Sequence, residues 1–191
     1  MKDTYKRVIG NLTFLIAPVI MVACSSSLSY NEAIQKNVSR VEDPEKLEDA
    51  KFLVDATSYN ILAMRMAEAA IESGYSASLV TLARENLEKH KEMGQELKKL
   101  ARKEDIVLPA EMNHTHEKLF NELKGTDRRE FDRTYVKLMR DASQEDRGRF
   151  SQMATAAESE DIRSFAARKL DLFESHQTEL ETVDAELLKT Y

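Results

Sequence analysis

Four stretches of this chain repeat an apolar residue every three or four positions, and that periodicity limits the fold more than any other feature. The first stripe is Phe52, Ala56, Tyr59, Ala63, Met66 and Ala70, and the second is Leu79, Ala83, Leu87, His90, Leu97 and Leu100. Phe131, Tyr135, Leu138, Ala142 and Phe150 make the third. The fourth runs Ile162, Phe165, Lys169, Phe173, His176, Leu180, Val183 and Leu187, with Lys169 as its flaw. Such spacing gathers one apolar face on a helix and leaves the other face polar. Only five Gly and three Pro occur among 191 residues, so long helices go uninterrupted.

Start and stop signals place the boundaries. Asp43 as N-cap and Pro44 at the first helical position open a helix over Pro44–Ser73, and Gly74 ends it. Ser76 opens the next, Ala77–Lys103, and Pro109 breaks the chain for a longer connection. Asn113 caps a short helix, His114–Lys124, stopped by Gly125. Two more long helices are predicted over Asp127–Glu158 and Glu160–Lys189, the last with acidic residues where the helix dipole favours them. Helices of this length are roughly 40–48 Å long. Four single-striped rods bury their stripes most simply as a four-helix bundle. Short links pair them as two antiparallel hairpins, and the long connection between permits a crossover.

The N-terminus reads differently. Lys2, Lys6 and Arg7 precede an uncharged run, Val8–Ala23, which is short of the about 20 apolar residues of a membrane span. A basic start, a short apolar run and a small residue before a cut mark residues 1–23 as a signal peptide. The motif "MVAC" at 21–24 resembles the bacterial lipobox, so Cys24 is the expected lipidation site. A thiol is the nucleophile that chemistry requires, and it accounts for the chain's single cysteine. Two or more acyl chains, at about 0.8 kcal/mol per buried methylene, hold a protein firmly. Ser25 after the cysteine points to the outer membrane by a sorting rule, with the domain on its periplasmic face. Residues 24–43 read as a lipidated, flexible tether with a short helical piece near Asn31–Val38, and 44–191 as the folded domain.

Removing residues 1–23 takes away Lys2, Lys6, Arg7 and Asp3, which leaves 25 basic and 33 acidic side chains and a net charge of −8. A surface of that sign repels nucleic acid and adds nothing to the lipid's grip on an anionic membrane.

Beyond these physical readings, "FDRTYVKLMRD" at 131–141 resembles the signature of the domain-of-unknown-function family "forty-one forty-two", a family of outer-membrane proteins. "DAKFLVDA" at 49–56, "ELKKLARKEDIVLP" at 96–109 and "FAARKLDLFESHQTEL" at 165–180 fit it too. The resemblance spans about residues 48–184 and implies an exported, ferritin-like four-helix bundle with no established activity. Similar members carry Glu near Ala63, Met64 and Arg65, and an Asp-His pair where this chain has Ala142 and Ser143. His90 and His176 match inward histidine positions.

"ENLEKH" ending at His90 echoes "DLFESH" ending at His176. On facing helices two neutral imidazoles could bind a transition metal. The di-iron pattern needs Glu three residues before each His, and Leu87 and Phe173 stand there instead. A buried, hydrogen-bonded pair is therefore the preferred reading, with metal binding or sensing as the alternative. His114 and His116 lie on different sides of a helix and read as a solvated cap. Asp141 and Glu145 share one helix face, yet their surroundings mix charges and read as solvated. Met64, Met66, Met93, Met139 and Met153 read as core filling, and Tyr59 and Tyr135 as core residues with a polar partner. No phosphate loop or Ser/His/Asp set stands at a recognisable spacing. The expectation is a non-catalytic, lipid-anchored module that binds an envelope partner or stabilises the envelope. No cofactor is expected, and a homo-oligomer is a further option.

Overall fold

In a computed structural model of the chain, residues 27–190 are described; the expected signal peptide and Cys24 lie outside them. Among the described residues there are six helices and no strands: α1 (Tyr30–Arg40), α2 (Pro44–Ser73), α3 (Ala77–Lys103), α4 (His114–Lys124), α5 (Phe131–Ala156) and α6 (Glu160–Thr190). The chain is all-α, as its periodicity predicts. The caps expected at Asp43, Ser76 and Asn113 form, each side-chain oxygen accepting a backbone N–H of the first turn. They satisfy donors that a helix start leaves orphaned.

The long helices α2, α3, α5 and α6 surround one core, with α2 packed on α3 and α5, and α6 packed on α5 and α3. Tyr59, Tyr135, Phe150, Phe165 and Leu53 are its largest fully buried side chains. Phe150 gathers the aromatic contacts, its ring centre 4.9 Å from Phe52, 5.0 Å from Phe173 and 5.9 Å from Phe165. Lys169 is not buried bare: it is ion-paired to Glu96 and lies 5.6 Å from the Phe165 ring centre.

The two hairpins cap each other's turns. The Asp132 carboxylate accepts the N–H groups of Tyr75 (2.9 Å) and Ser76 (2.7 Å) in the α2–α3 link. Asp49 accepts those of Glu158 (3.1 Å) and Ser159 (2.8 Å) in the α5–α6 link. This sets both ends of α5 and corrects the predicted boundaries. The helix starts at Phe131 because Asp127 closes a turn onto Arg129, and it stops at Ala156, with Ala157 as C-cap, because Asp49 takes the N–H groups of Glu158 and Ser159 beyond it.

Within the described part of the tether expected over 24–43, the short helical piece near Asn31–Val38 forms, but it is packed on the domain where a flexible segment was expected. Residues 30–40 form α1, which packs on α2 and buries Ala33 and Asn37. A capping box at Ser29 and Glu32 starts it. The Asn37 side chain then donates to the Val107 carbonyl at 2.8 Å and accepts the Val107 N–H at 2.9 Å, like a short piece of sheet. Tyr30 donates to Asp55 at 2.6 Å, and the Leu28 carbonyl accepts the Ala110 N–H at 2.8 Å. The chain is thus fastened to the domain from Leu28 onward. Asp105, at φ 55, takes the left-handed position ending α3, with the Ile106 N–H returning to the Ala101 carbonyl. No helix among the described residues is long and apolar enough to cross a membrane.

Candidate functional site

A seam of buried polar side chains runs through the core. In α2, Tyr59 and Asn60 face inward side by side. The Tyr59 hydroxyl lies 2.8 Å from the Ser143 hydroxyl of α5, which lies 3.2 Å from His176 Nδ1 of α6. Asn60 Oδ1 sits 3.0 Å from His90 Nδ1 of α3. An amide oxygen only accepts, so His90 donates from Nδ1 and its Nε2 carries the lone pair.

The two imidazoles that sequence reasoning singles out do meet. Their ring centres are 6.5 Å apart and nearly edge to face, and the Tyr59 ring lies 5.7 Å from that of His90. The echo between their segments is not a strict structural equivalence, however. Counted from the two capped links, His90 corresponds to Phe173, so the histidines are about one turn out of step. Burial pushes His90 from 6.5 down to about 3, helped by His176, Lys89 and Lys169. Burial likewise lowers His176 to about 4, with Glu179 opposing and Lys89 adding. Both rings are therefore neutral at neutral pH.

Asn86 of α3 and Tyr135 of α5 are also buried, and among the described residues neither amide atom of Asn86, nor the Tyr135 hydroxyl, nor His176 Nε2 has a hydrogen-bond partner. Burial raises the Tyr135 hydroxyl well above the ordinary tyrosine value.

A second cluster was missed by the sequence reading, which takes His116 for a solvated cap. His116 is 2% exposed. Its Nδ1 lies 2.7 Å from Ser58 Oγ, and its Nε2 lies 3.4 Å from Asp146 Oδ2. Ser58 Oγ accepts the Asn113 N–H at 2.8 Å, and the ring tautomer with its proton on Nε2, facing Asp146, accepts the Ser58 proton at Nδ1. Arg149 holds the other oxygen of Asp146 at 3.0 Å. Serine, histidine and aspartate thus stand in line, an arrangement not legible from spacing. All three are buried, and the serine oxygen is occupied in fastening the start of α4. The line therefore works as a clasp joining α2, α4 and α5.

The remaining candidates lie elsewhere. His114, Asp141 and Glu145 are exposed, Asp141 and Glu145 facing Lys137 (3.8 Å) and Arg149 (2.7 Å). Met66, Met93, Met139 and Met153 are in the core, while Met64 is half-buried beside Asn60. Among the described residues no group of three or more His, Cys, Asp or Glu is placed to hold a metal ion.

Fold and site together define an all-helical domain threaded by a buried, mostly uncharged polar seam. The chain belongs to the family described as "Domain of unknown function (DUF4142)", whose model matches residues 35–183. A solved structure described as CopM in the Cu(II)-bound form is similar in fold, with a TM-score of 0.61 and 21% identity. That likeness covers 75% of this chain and 97% of the other. No curated protein matches the chain.

Proposed function

We propose that the protein is a lipid-anchored helical module of the bacterial envelope, with a ferritin-like four-helix bundle that binds a partner or stabilises the envelope without catalysing a reaction. The observation that carries this reading is the place where the chain enters the fold. Leu28, four residues after the lipobox cysteine, is fastened to the side of the domain through Ala110. Four extended residues reach at most about 14 Å, so an acyl group on Cys24 would keep the α1–α4 side close to the membrane. The non-catalytic part rests on the polar interior, where His90, His116 and His176 each spend a ring nitrogen on a neighbouring side chain. The test is fractionation of producing cells. The parent chain should appear in the outer-membrane fraction with a mass reporting cleavage before Cys24 and added acyl chains. Cys24→Ser should be unacylated and released by mild washing, and a parent chain that retains Met1 would refute the anchor.

A second reading, metal binding, is favoured by one specific feature. His176 Nε2 is buried without a partner among the described residues, beside a second neutral imidazole, and the fold neighbour carries Cu(II) in its description. Metal–nitrogen bonds of about 2 Å make 6.5 Å between ring centres the outer span for two imidazoles on one ion. Elemental analysis of the parent protein beside a His90→Ala/His176→Ala chain decides it. Stoichiometric copper or zinc lost in the double variant would establish the reading, and equal trace metal in both would end it.

A further inference from the structure

The surface of this domain pairs its charges along its helices. Lys51 with Glu48, Arg149 with Glu145 and Arg163 with Glu160 lie 2.6–2.7 Å apart at helical spacing. One region breaks the pattern. Between α2, α4 and the turn before α5 lies a cleft of about 580 Å³, lined by Arg65, Glu68, Glu72, Phe120, Lys124 and Arg128 among others. Arg65 stands three residues before Glu68, the spacing that pairs charges elsewhere. Yet none of these five charged residues forms an ion pair within 4.0 Å among the described residues.

Instead, Arg65 and Lys124 converge on one ring. The Arg65 guanidinium carbon is 5.9 Å from the centre of Phe120, and the Lys124 ammonium is 5.7 Å from it. A ring face attracts one cation by about 0.5–1 kcal/mol at an exposed site, but it neutralises neither, and the two cations repel each other. Arg128 adds a third positive charge at the rim. An oxyanion would meet all three, and guanidinium forks match phosphate oxygens particularly well. A purely anionic ligand would also face Glu68 and Glu72, which an ammonium group on the same molecule would turn from repulsion into attraction. The volume lies within the range of small-molecule sites.

We propose that this cleft binds a small aminoalkyl phosphate, the phosphate on Arg65, Lys124 and Arg128, the ammonium on Glu68 and Glu72, and the alkyl part against Phe120. The proposal is independent of the anchor and of the buried histidines. Such a group occurs free in solution or as the headgroup of a phospholipid.

The test is calorimetric titration of the detergent-purified full mature chain with phosphoethanolamine, inorganic phosphate and ethanolamine. Phosphoethanolamine should bind saturably and at least about tenfold more tightly than inorganic phosphate, a difference near 1.4 kcal/mol. Arg65→Ala should weaken it tenfold or more, whereas Lys118→Ala, exposed on α4 outside the cleft, should leave it unchanged. Glu68→Gln/Glu72→Gln should erase the preference over inorganic phosphate. These side chains are exposed, so unchanged circular dichroism should show each variant folded. A parallel arm uses Cys24→Ser with phosphatidylethanolamine vesicles. Arg65-dependent vesicle binding assigns the headgroup, and binding of the soluble compound alone assigns a free ligand. No saturable binding in either arm, or binding indifferent to Arg65→Ala, would overturn the proposal.

Discussion

His116, Asp146 and Ser58 show how much a single polar side chain governs here. Removing the imidazole leaves Asp146 buried with only Arg149 as partner and Ser58 without an acceptor. His116→Ala should therefore destabilise the domain by about 3 kcal/mol, read as a lower denaturant midpoint. Gly94 is a second such point. A Cβ there would stand 2.9 Å from the Asn60 amide nitrogen, which shares its side chain with the His90 hydrogen bond. Although alanine favours a helix by about 1 kcal/mol over glycine, Gly94→Ala should lower the melting temperature, and adding Asn60→Ala should recover part of the loss. The two inner histidines set a pH dependence. Both are held below their unfolded value of 6.5, at about 3 and about 4, so the unfolded chain takes up protons first as pH falls. Their contribution is fully present above the unfolded value. Between there and the folded values, stability should drop by about 1.4 kcal/mol per pH unit for each histidine. His176→Gln should remove one share of that slope when urea midpoints at pH 7 and pH 5 are compared.

At the scale of helices, the aspartates that close the two links matter most. Asp132 lies within the FDR segment of the family signature and Asp49 within DAKFLVDA, and each caps the opposite hairpin's turn. Asp132→Ala and Asp49→Ala should each cost about 1–2 kcal/mol, and amide exchange should quicken first at Tyr75 and Ser76 or at Glu158 and Ser159, respectively. The helices were legible in the sequence because stripe, cap and breaker agreed over long runs: three ends of α2 and α3 fall where Asp43–Pro44, Gly74 and Ser76 put them, and the fourth, Lys103, falls ahead of the break at Pro109. The start of α5 was misplaced because Asp127, read as opening the helix, instead closes a turn onto Arg129 and Glu130 that delays it to Phe131. The packing of α1 was not legible, because it depends on Asn37 and Val107 meeting across a gap that periodicity does not register. Asp146 and His116 did carry a signal. Asp146 stands four residues after Ala142 and four before Phe150, on the apolar stripe, and His116 stands in line with Phe120 and Leu123. Charge mixing around the one and the cap-like context of the other masked it.

For the whole molecule, the polar seam and the clasp join helices that apolar packing alone would hold with less definition. The seam links α2 to α3 and α5 to α6, and the clasp adds α4. Each of those hydrogen bonds to a histidine depends on the tautomer and charge of its ring, which makes the protonation of the histidines the point on which the account turns. Imidazole nitrogen shifts followed by NMR in the intact protein from pH 8 to pH 4.5 test it most directly. His90 should stay neutral, with its proton on Nδ1, throughout that range. A His90 that titrates near 6.5, or that shows a metal-bound nitrogen in the protein as purified, would contradict the account.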